Sequence, residues 1–388
     1  TDTIVSLSDI YIHGNYEKNK TTEESAIKVN RGATLNIGKN ATIYGNKIKA
    51  IPNTATEGGA IHATDATINM IGGSVEENQA TYGGGIYLKG SIMNFTGGAV
   101  QNNKSDLVVD SIWGQVYSAG GGIAANEGSV INITGSALIT NNFAAEIGGG
   151  ISIGTQQASD KSSELNMSAG IISENIAGSS GGGIFIQSSI KTSVVNKANI
   201  SSGKIINNKM DGSGITNKAF GGGGIYVNGM PEVWEWQGHT YNCSNGVLNL
   251  KNAIIKNNTS QKEGAGYAAC PVSKSTIYIN DGVALYDNEL KDLFIYCNTN
   301  GLFSNYNDFD INEEDPKLGT HAGNPKYMLS RRMLGGPLNN WANKDNSIAI
   351  PEDAYDKEMT IGEHKAYLYL YNKNKASEFT RRIATVEI

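Results

Sequence analysis

Short runs of alternating apolar and polar residues recur along most of the chain. Thr67-Ile68-Asn69-Met70, Ile131-Asn132-Ile133, Leu165-Asn166-Met167 and Leu248-Asn249-Leu250 all follow this rule. A period of two residues is the signature of a β-strand buried on one face. Each run follows a glycine cluster that opens an apolar strand. The clusters are Gly58-Gly59-Ala60-Ile61, Gly83-Gly84-Gly85-Ile86 and Gly120-Gly121-Gly122-Ile123. They continue at Gly148-Gly149-Gly150-Ile151, Gly181-Gly182-Gly183-Ile184 and Gly222-Gly223-Gly224-Ile225, with a weaker copy at Gly264-Ala265-Gly266-Tyr267. A third short strand ends each repeat in Asn, as in Leu138-Ile139-Thr140-Asn141-Asn142.

Three short strands separated by turn residues predict one coil of a parallel β-helix. The shortest glycine spacing, Gly59 to Gly84, is 25 residues and suits a three-sided coil. Longer spacings imply loops inserted between sides. The Asn at the end of each coil has a structural reading, since Asn tolerates the left-handed backbone of a sharp corner. Stacked coils would align Asn46, Asn78, Asn103, Asn142, Asn175, Asn208, Asn258 and Asn288 in a side-chain amide ladder. The glycine cluster is not a phosphate loop. No helix follows it, and no Lys-Ser/Thr closes it.

The Gly-Gly-Gly-Ile, strand, Asn-Asn pattern resembles the β-helical repeats of large bacterial surface adhesins. Similar coils occur in polymorphic outer-membrane proteins, autotransporter passengers, polysaccharide lyases and some glycoside hydrolases. The resemblance covers about residues 30–300 and implies an all-β fold, a single-stranded right-handed parallel β-helix (solenoid) with N- and C-terminal caps. Residues 1–30 then read as an N-terminal cap or incomplete first coil, 31–300 as the β-helix with inserted loops, and 301–388 as a C-terminal cap or small appended β element. The motif residues are architectural, so the resemblance carries over no catalytic residue. It implies an extracellular setting, cell-surface attached or secreted, and a monomer within a larger multidomain chain. The start at Thr1 in strand-like sequence fits an excised piece or a mature form.

Composition narrows the function classes. The 48 Gly lack a collagen triplet and come with only 7 Pro. A net charge of −6 and no basic patch argue against nucleic-acid binding. No run of about 18 apolar residues predicts membrane insertion. Cys243, Cys270 and Cys297 form no CxxC pair and the five His are scattered, so no metal or other cofactor is expected. Cys270 and Cys297 sit 27 residues apart in similar strands and would stack in successive coils, either as a disulfide or as thiols.

Function is sought in the insertions. Residues 47–57, 104–119 and 209–220 precede the Gly-Gly-Gly-Ile strand, and residues 154–163, 187–193 and 228–246 follow it. Both classes flank the same strand, which predicts two walls and a groove along one face. Three of the four Trp fall in these walls. Trp113, Tyr117, Trp234, Trp236 and Tyr241 either pin the loops or stack on a ligand such as a sugar ring. Glu235 and His239 would supply hydrogen bonds. The expected partner is a host or bacterial surface glycan or protein. Asp106, Asp110, Asp160, Glu164, Asp211, Glu232 and Glu235 are solvated acids or, if the chain is a carbohydrate-active enzyme (a glycoside hydrolase or polysaccharide lyase), include a pair such as Asp110 and Glu235 suited to glycoside hydrolysis. A third reading is a non-binding stalk. His239 beside Cys243 is a conceivable base and nucleophile. Asp308 to Asp315 is an acidic cluster that reads as an exposed loop.

Overall fold

In a computed structural model, the described residues are 3–14, 21–109, 116–215, 221–261, 264–269, 276–279, 284–286, 288–290, 357–361, 364–368 and 384–387. These residues form strands, turns and bends, with no helix among them. Four parallel sheets dominate, and in each of them strands follow one another in chain order. Sheet I holds the glycine-cluster strands, Ile27–Val29 and Ile61–Thr64 through Ile225–Val227 to Tyr267–Ala269. Sheet II runs from Ile4–Leu7 to Thr276–Ile279, and sheet III from Tyr11–His13 to Ala284–Tyr286. The chain visits each sheet once per repeat, an arrangement compatible with a β-helix solenoid.

Sheet IV departs from the three-sided expectation. It is built from two-residue strands, from Gln79–Ala80 to Glu289–Leu290, that follow the terminal Asn of each coil. Two residues are too few to show a period in sequence, which is why this side was not anticipated.

The core is a set of stacked columns. Ile61, Ile86, Ile123, Ile151, Ile184 and Ile225 occupy equivalent positions in sheet I, and none is exposed to solvent. Met70, Phe95, Ile133 and Met167 form the matching column in sheet II. Burying such a side chain stabilises by roughly 1.5–3 kcal/mol, and the stacking repeats this gain coil after coil.

The Asn column is present at all eight anticipated positions. Asn103 shows the unit. Its Nδ2 donates to Asn142 Oδ1 at 3.0 Å and to the Val75 carbonyl at 2.9 Å, and its backbone N–H donates to the same Asn142 oxygen at 3.0 Å. The column continues from Asn46 to Asn288. Among the described residues, the left-handed backbone belongs to the residue before the ladder Asn, at Gly45, Glu77, Asn102, Asn141, Glu174, Asn207 and Asn257. The corner therefore divides its work: one residue turns the chain and the next ties coil to coil.

The glycine triplet answers the ladder. Gly83 has φ of 60°. A Cβ on Gly84 would stand 2.3 Å from the Lys104 carbonyl oxygen and 2.5 Å from that of Gly121. A Cβ on Gly85 would press within 3.0 Å of the Asn103 amide. The three positions thus serve a left-handed turn, a close approach to sheet IV and a seat beneath the amide column.

The three strands Lys357–Ile361, His364–Leu368 and Ala384–Glu387 form a separate antiparallel sheet. Other residues of 301–388, including the acidic cluster Asp308 to Asp315, lie outside the described residues, as do Cys270 and Cys297.

Candidate functional site: an aromatic groove over sheet I

The floor differs from a simple half-buried sheet. Alternation turns Tyr87, Ala124, Ser152, Phe185, Tyr226 and Ala268 away from the core, yet all are buried. The wall loops fold over them and build a second apolar layer. Tyr82, Tyr87, Ala119 and Ala124 cluster with Tyr117 and Ile147, while Phe185 stacks on Tyr226 at 5.7 Å. From Tyr87 to Ala268 these outward positions are covered, so sheet I strands there read as largely apolar runs.

The walls are braced across coils. Val108–Val109 pairs with Val116–Tyr117 as an antiparallel ribbon. Ser189 and Ser244 exchange backbone hydrogen bonds at 2.9 and 2.8 Å, tying the 187–193 loop to the 228–246 loop. Gln157 Nε2 donates to Ser188 Oγ at 3.0 Å, and Asn228 Nδ2 donates to Gln187 Oε1 at 2.6 Å.

A hairpin crowns one wall. Val233–Trp236 pairs with His239–Asn242 across a Gln237-Gly238 turn, whose two residues have φ of 48° and 77°. Positive φ at both positions is the tight turn that matches strand twist. Trp234 faces Tyr241 and Trp236 faces His239 on one side of the ribbon. The two indoles stack at 5.8 Å with 10° between planes, and Tyr241 lies 5.4 Å from Trp234. Alternation places Glu235 and Thr240 on the opposite side.

These elements enclose a groove of about 410 Å³. Tyr82 and Tyr117 line one end, Thr155, Gln156, Gln157, Ala158, Gln187 and Ile190 the middle, and Trp234, Trp236 and Tyr241 the hairpin side. Of the candidate residues, Tyr117, Trp234, Trp236 and Tyr241 meet here. His239 is exposed and lies 6.3 Å from the Tyr241 ring without lining the groove. Asp110 and Trp113 lie outside the described residues. Tyr82 and the amide row Gln156, Gln157 and Gln187 were missed, although the glutamines sit in named loops. A neutral amide in a loop looks like ordinary surface polarity, so these glutamines carry no signal of their own in the sequence.

The electrostatics are neutral. No carboxylate, Lys, Arg or His is among the described lining residues. The wall acids are held elsewhere. Lys104 Nζ lies 3.3 Å from Asp106, Lys191 pairs with Asp160, Asn199 Nδ2 donates to Glu164 at 2.7 Å, and the Ser213 N–H donates to Asp211 at 2.9 Å. Burial pushes the Tyr82 hydroxyl well up, so it remains a protonated donor, with Gln156 as hydrogen-bond partner. Thr155 Oγ1 is buried with no hydrogen-bond partner among the described residues. Cys243 is a buried free thiol that donates to the Tyr241 carbonyl at 3.7 Å, and burial raises its pKa. His239 is four residues away along an extended segment, about 13 Å at strand rise. That separation argues against the two as base and nucleophile.

Among the described residues no group of three or more His, Cys, Asp and Glu is placed to hold a metal ion. No protein-family model matches the chain, and no curated protein or solved structure shows significant similarity to it.

Proposed function

We propose that this chain is the glycan-binding module of an extracellular, cell-surface adhesin, built as a capped, right-handed single-stranded β-helix. The observation that carries this reading is the composition of the groove. Five aromatic side chains, three glutamine amides and a threonine hydroxyl converge over sheet I, with no carboxylate, lysine, arginine or histidine among the described lining residues. Aromatic faces stack on the apolar faces of sugar rings, and the amides satisfy the hydroxyls around the rim. Walls braced from coil to coil keep the rings in place before a ligand arrives, which lowers the cost of ordering on binding. Glycoside hydrolysis requires two carboxylates flanking one bond, and none is among the described lining residues. The test is a glycan-array screen with reducing-end detection, comparing the native protein with the Trp234→Ala/Trp236→Ala double variant. Binding without released sugar, lost in the variant, is expected. Released sugar would replace the adhesin with an enzyme. Equal behaviour of both proteins would leave a stalk.

A further inference from the structure

A second side-chain cluster lies next to Tyr82. Tyr82 stacks on Tyr87 at 6.4 Å, and the Tyr87 ring meets His62 edge-on at 5.2 Å. His62 Nε2 lies 3.7 Å from Glu57 Oε2 and 3.2 Å from Thr64 Oγ1. Parallel pairing arranges these residues as a grid on the outer face of sheet I. One coil presents Glu57, His62 and Thr64, and the next presents Tyr82, Tyr87 and Lys89 in register beside them. This titratable cluster lies outside the aromatic groove and shares only Tyr82 with it.

We infer that Glu57, His62, Tyr87 and Lys89 form a second, polar subsite of the same groove, which takes an uncharged sugar residue through its hydroxyls, so that the ligand is an extended neutral oligosaccharide. The inference rests on the glycan-binding reading. Three features support it. Glu57 and His62 are partly open, with side chains 34% and 22% exposed, while Tyr87 beneath them is fixed at 2%. Glu57 is under-solvated: burial raises its pKa, and the Tyr87 hydrogen bond and the Lys89 charge only partly offset this. A carboxylate in that state gains from sugar hydroxyls that donate to it. The subsite also carries no net charge. Glu57 offsets Lys89, Lys28 is engaged by Glu24 at 2.6 Å, and His62 is held neutral by burial and by the two lysines. A charged sugar would find no counter-ion there.

The length follows from the coils. Gln187 and Tyr82 stand three coils apart, about 14 Å at an interstrand spacing of about 4.8 Å, and Glu57 adds one further step to about 19 Å. A ligand filling both parts is an oligosaccharide rather than a single sugar.

The test is calorimetric titration of the full chain with neutral cello-, xylo- and manno-oligosaccharide ladders, from disaccharide to hexasaccharide. The proteins are the native chain, Glu57→Gln and Trp234→Ala/Trp236→Ala, each checked for an unchanged melting transition. The expected result is affinity that rises with chain length and a roughly tenfold loss in Glu57→Gln confined to the long members. Long-ligand binding should also weaken as pH falls through the Glu57 titration, in the native protein only. His62, Tyr82, Tyr87, Lys28 and Lys89 are the other titratable groups facing that carboxylate, and all are retained in the variant. Length-independent binding, or equal effects of Glu57→Gln on short and long sugars, would overturn the second subsite and leave the aromatic groove standing. Absence of any tryptophan-dependent binding would overturn both.

Discussion

Replacing Asn142 by Ala removes one rung of the buried amide column. Asn142 is 1% exposed. Its Oδ1 accepts from the Asn103 backbone N–H and from Asn103 Nδ2, both at 3.0 Å. Its Nδ2 donates to Asn175 Oδ1 and the Val100 carbonyl at 2.9 Å and to the Thr140 carbonyl at 3.0 Å. Asn103 Nδ2 keeps the Val75 carbonyl, and Asn175 Oδ1 keeps the Asn142 backbone N–H. The Asn103 backbone N–H loses its acceptor in a place water does not reach. A buried orphan of this kind costs about 1–3 kcal/mol, and each other lost bond about 0.5–1.5 kcal/mol. Together these losses should destabilise by at least about 3 kcal/mol. Asn132 is the control. It sits in a second, half-buried amide column on the outer face of sheet II, donating to Asn94 Oδ1 at 2.9 Å and accepting from Asn166 at 3.3 Å. Water can replace those partners, so Asn132→Ala should cost about 1 kcal/mol or less. Urea unfolding gives the difference. Amide exchange shows where it acts, because stacked repeats pass the loss mainly to their neighbours. If Asn142→Ala proves no more costly than Asn132→Ala, the buried column is not what ties the coils together.

Gly149→Ala should be among the most damaging single changes. Its Cβ would lie 2.4 Å from both the Gly182 and Ile176 carbonyl oxygens, and soluble yield or thermal melting reports the failure. Trp234→Ala/Trp236→Ala should leave melting nearly unchanged, because the hairpin is exposed, while abolishing glycan binding in a pull-down. Stability should depend on pH through two groups of opposite sign. The folded-state pKa of His62 is lowered from 6.5, so its contribution is full above about pH 6.5 and is lost as pH falls through the lowered value. Glu57 is raised from 4.5, so its unfavourable charge is relieved as pH falls through the raised value. Melting curves of His62→Gln should lack the acid loss, and those of Glu57→Gln should lack the acid gain. Cys243 should resist alkylation in the native state and react on unfolding, read by peptide mapping.

What sequence could show followed from repetition. The buried amide column was legible because the same Asn ends each repeat, and a recurring polar residue beside apolar ones signals stacking. The second column, Asn36 to Asn249, was not, although Asn69, Asn132, Asn166 and Asn249 stand in plainly alternating strands. An Asn at an outward position of an alternating strand reads as ordinary solvent-facing polarity, and only the in-register pairing reveals the ladder. Phe185 and Tyr226 are the opposite case. Alternation marks them as outward, and the loops that bury them come from elsewhere in the chain. The groove was legible as a consequence of where the insertions fall, and Tyr117, Trp234, Trp236 and Tyr241 do gather in it. Glu235 was singled out by its place in the 228–246 insertion, and strand alternation turns it to the side of the hairpin opposite Trp234 and Trp236. Glu57 and His62 carried no motif; only the sheet register brings them together.

The most direct test of the groove is tryptophan fluorescence during titration with a glycan that the native chain binds. Trp234 and Trp236 stack at the groove wall, the latter 44% exposed, so a sugar ring seated on them must change their emission. The account predicts a saturable change whose midpoint matches the calorimetric affinity and which vanishes in Trp234→Ala/Trp236→Ala. A glycan that binds with full affinity while the emission of both indoles stays constant would contradict it.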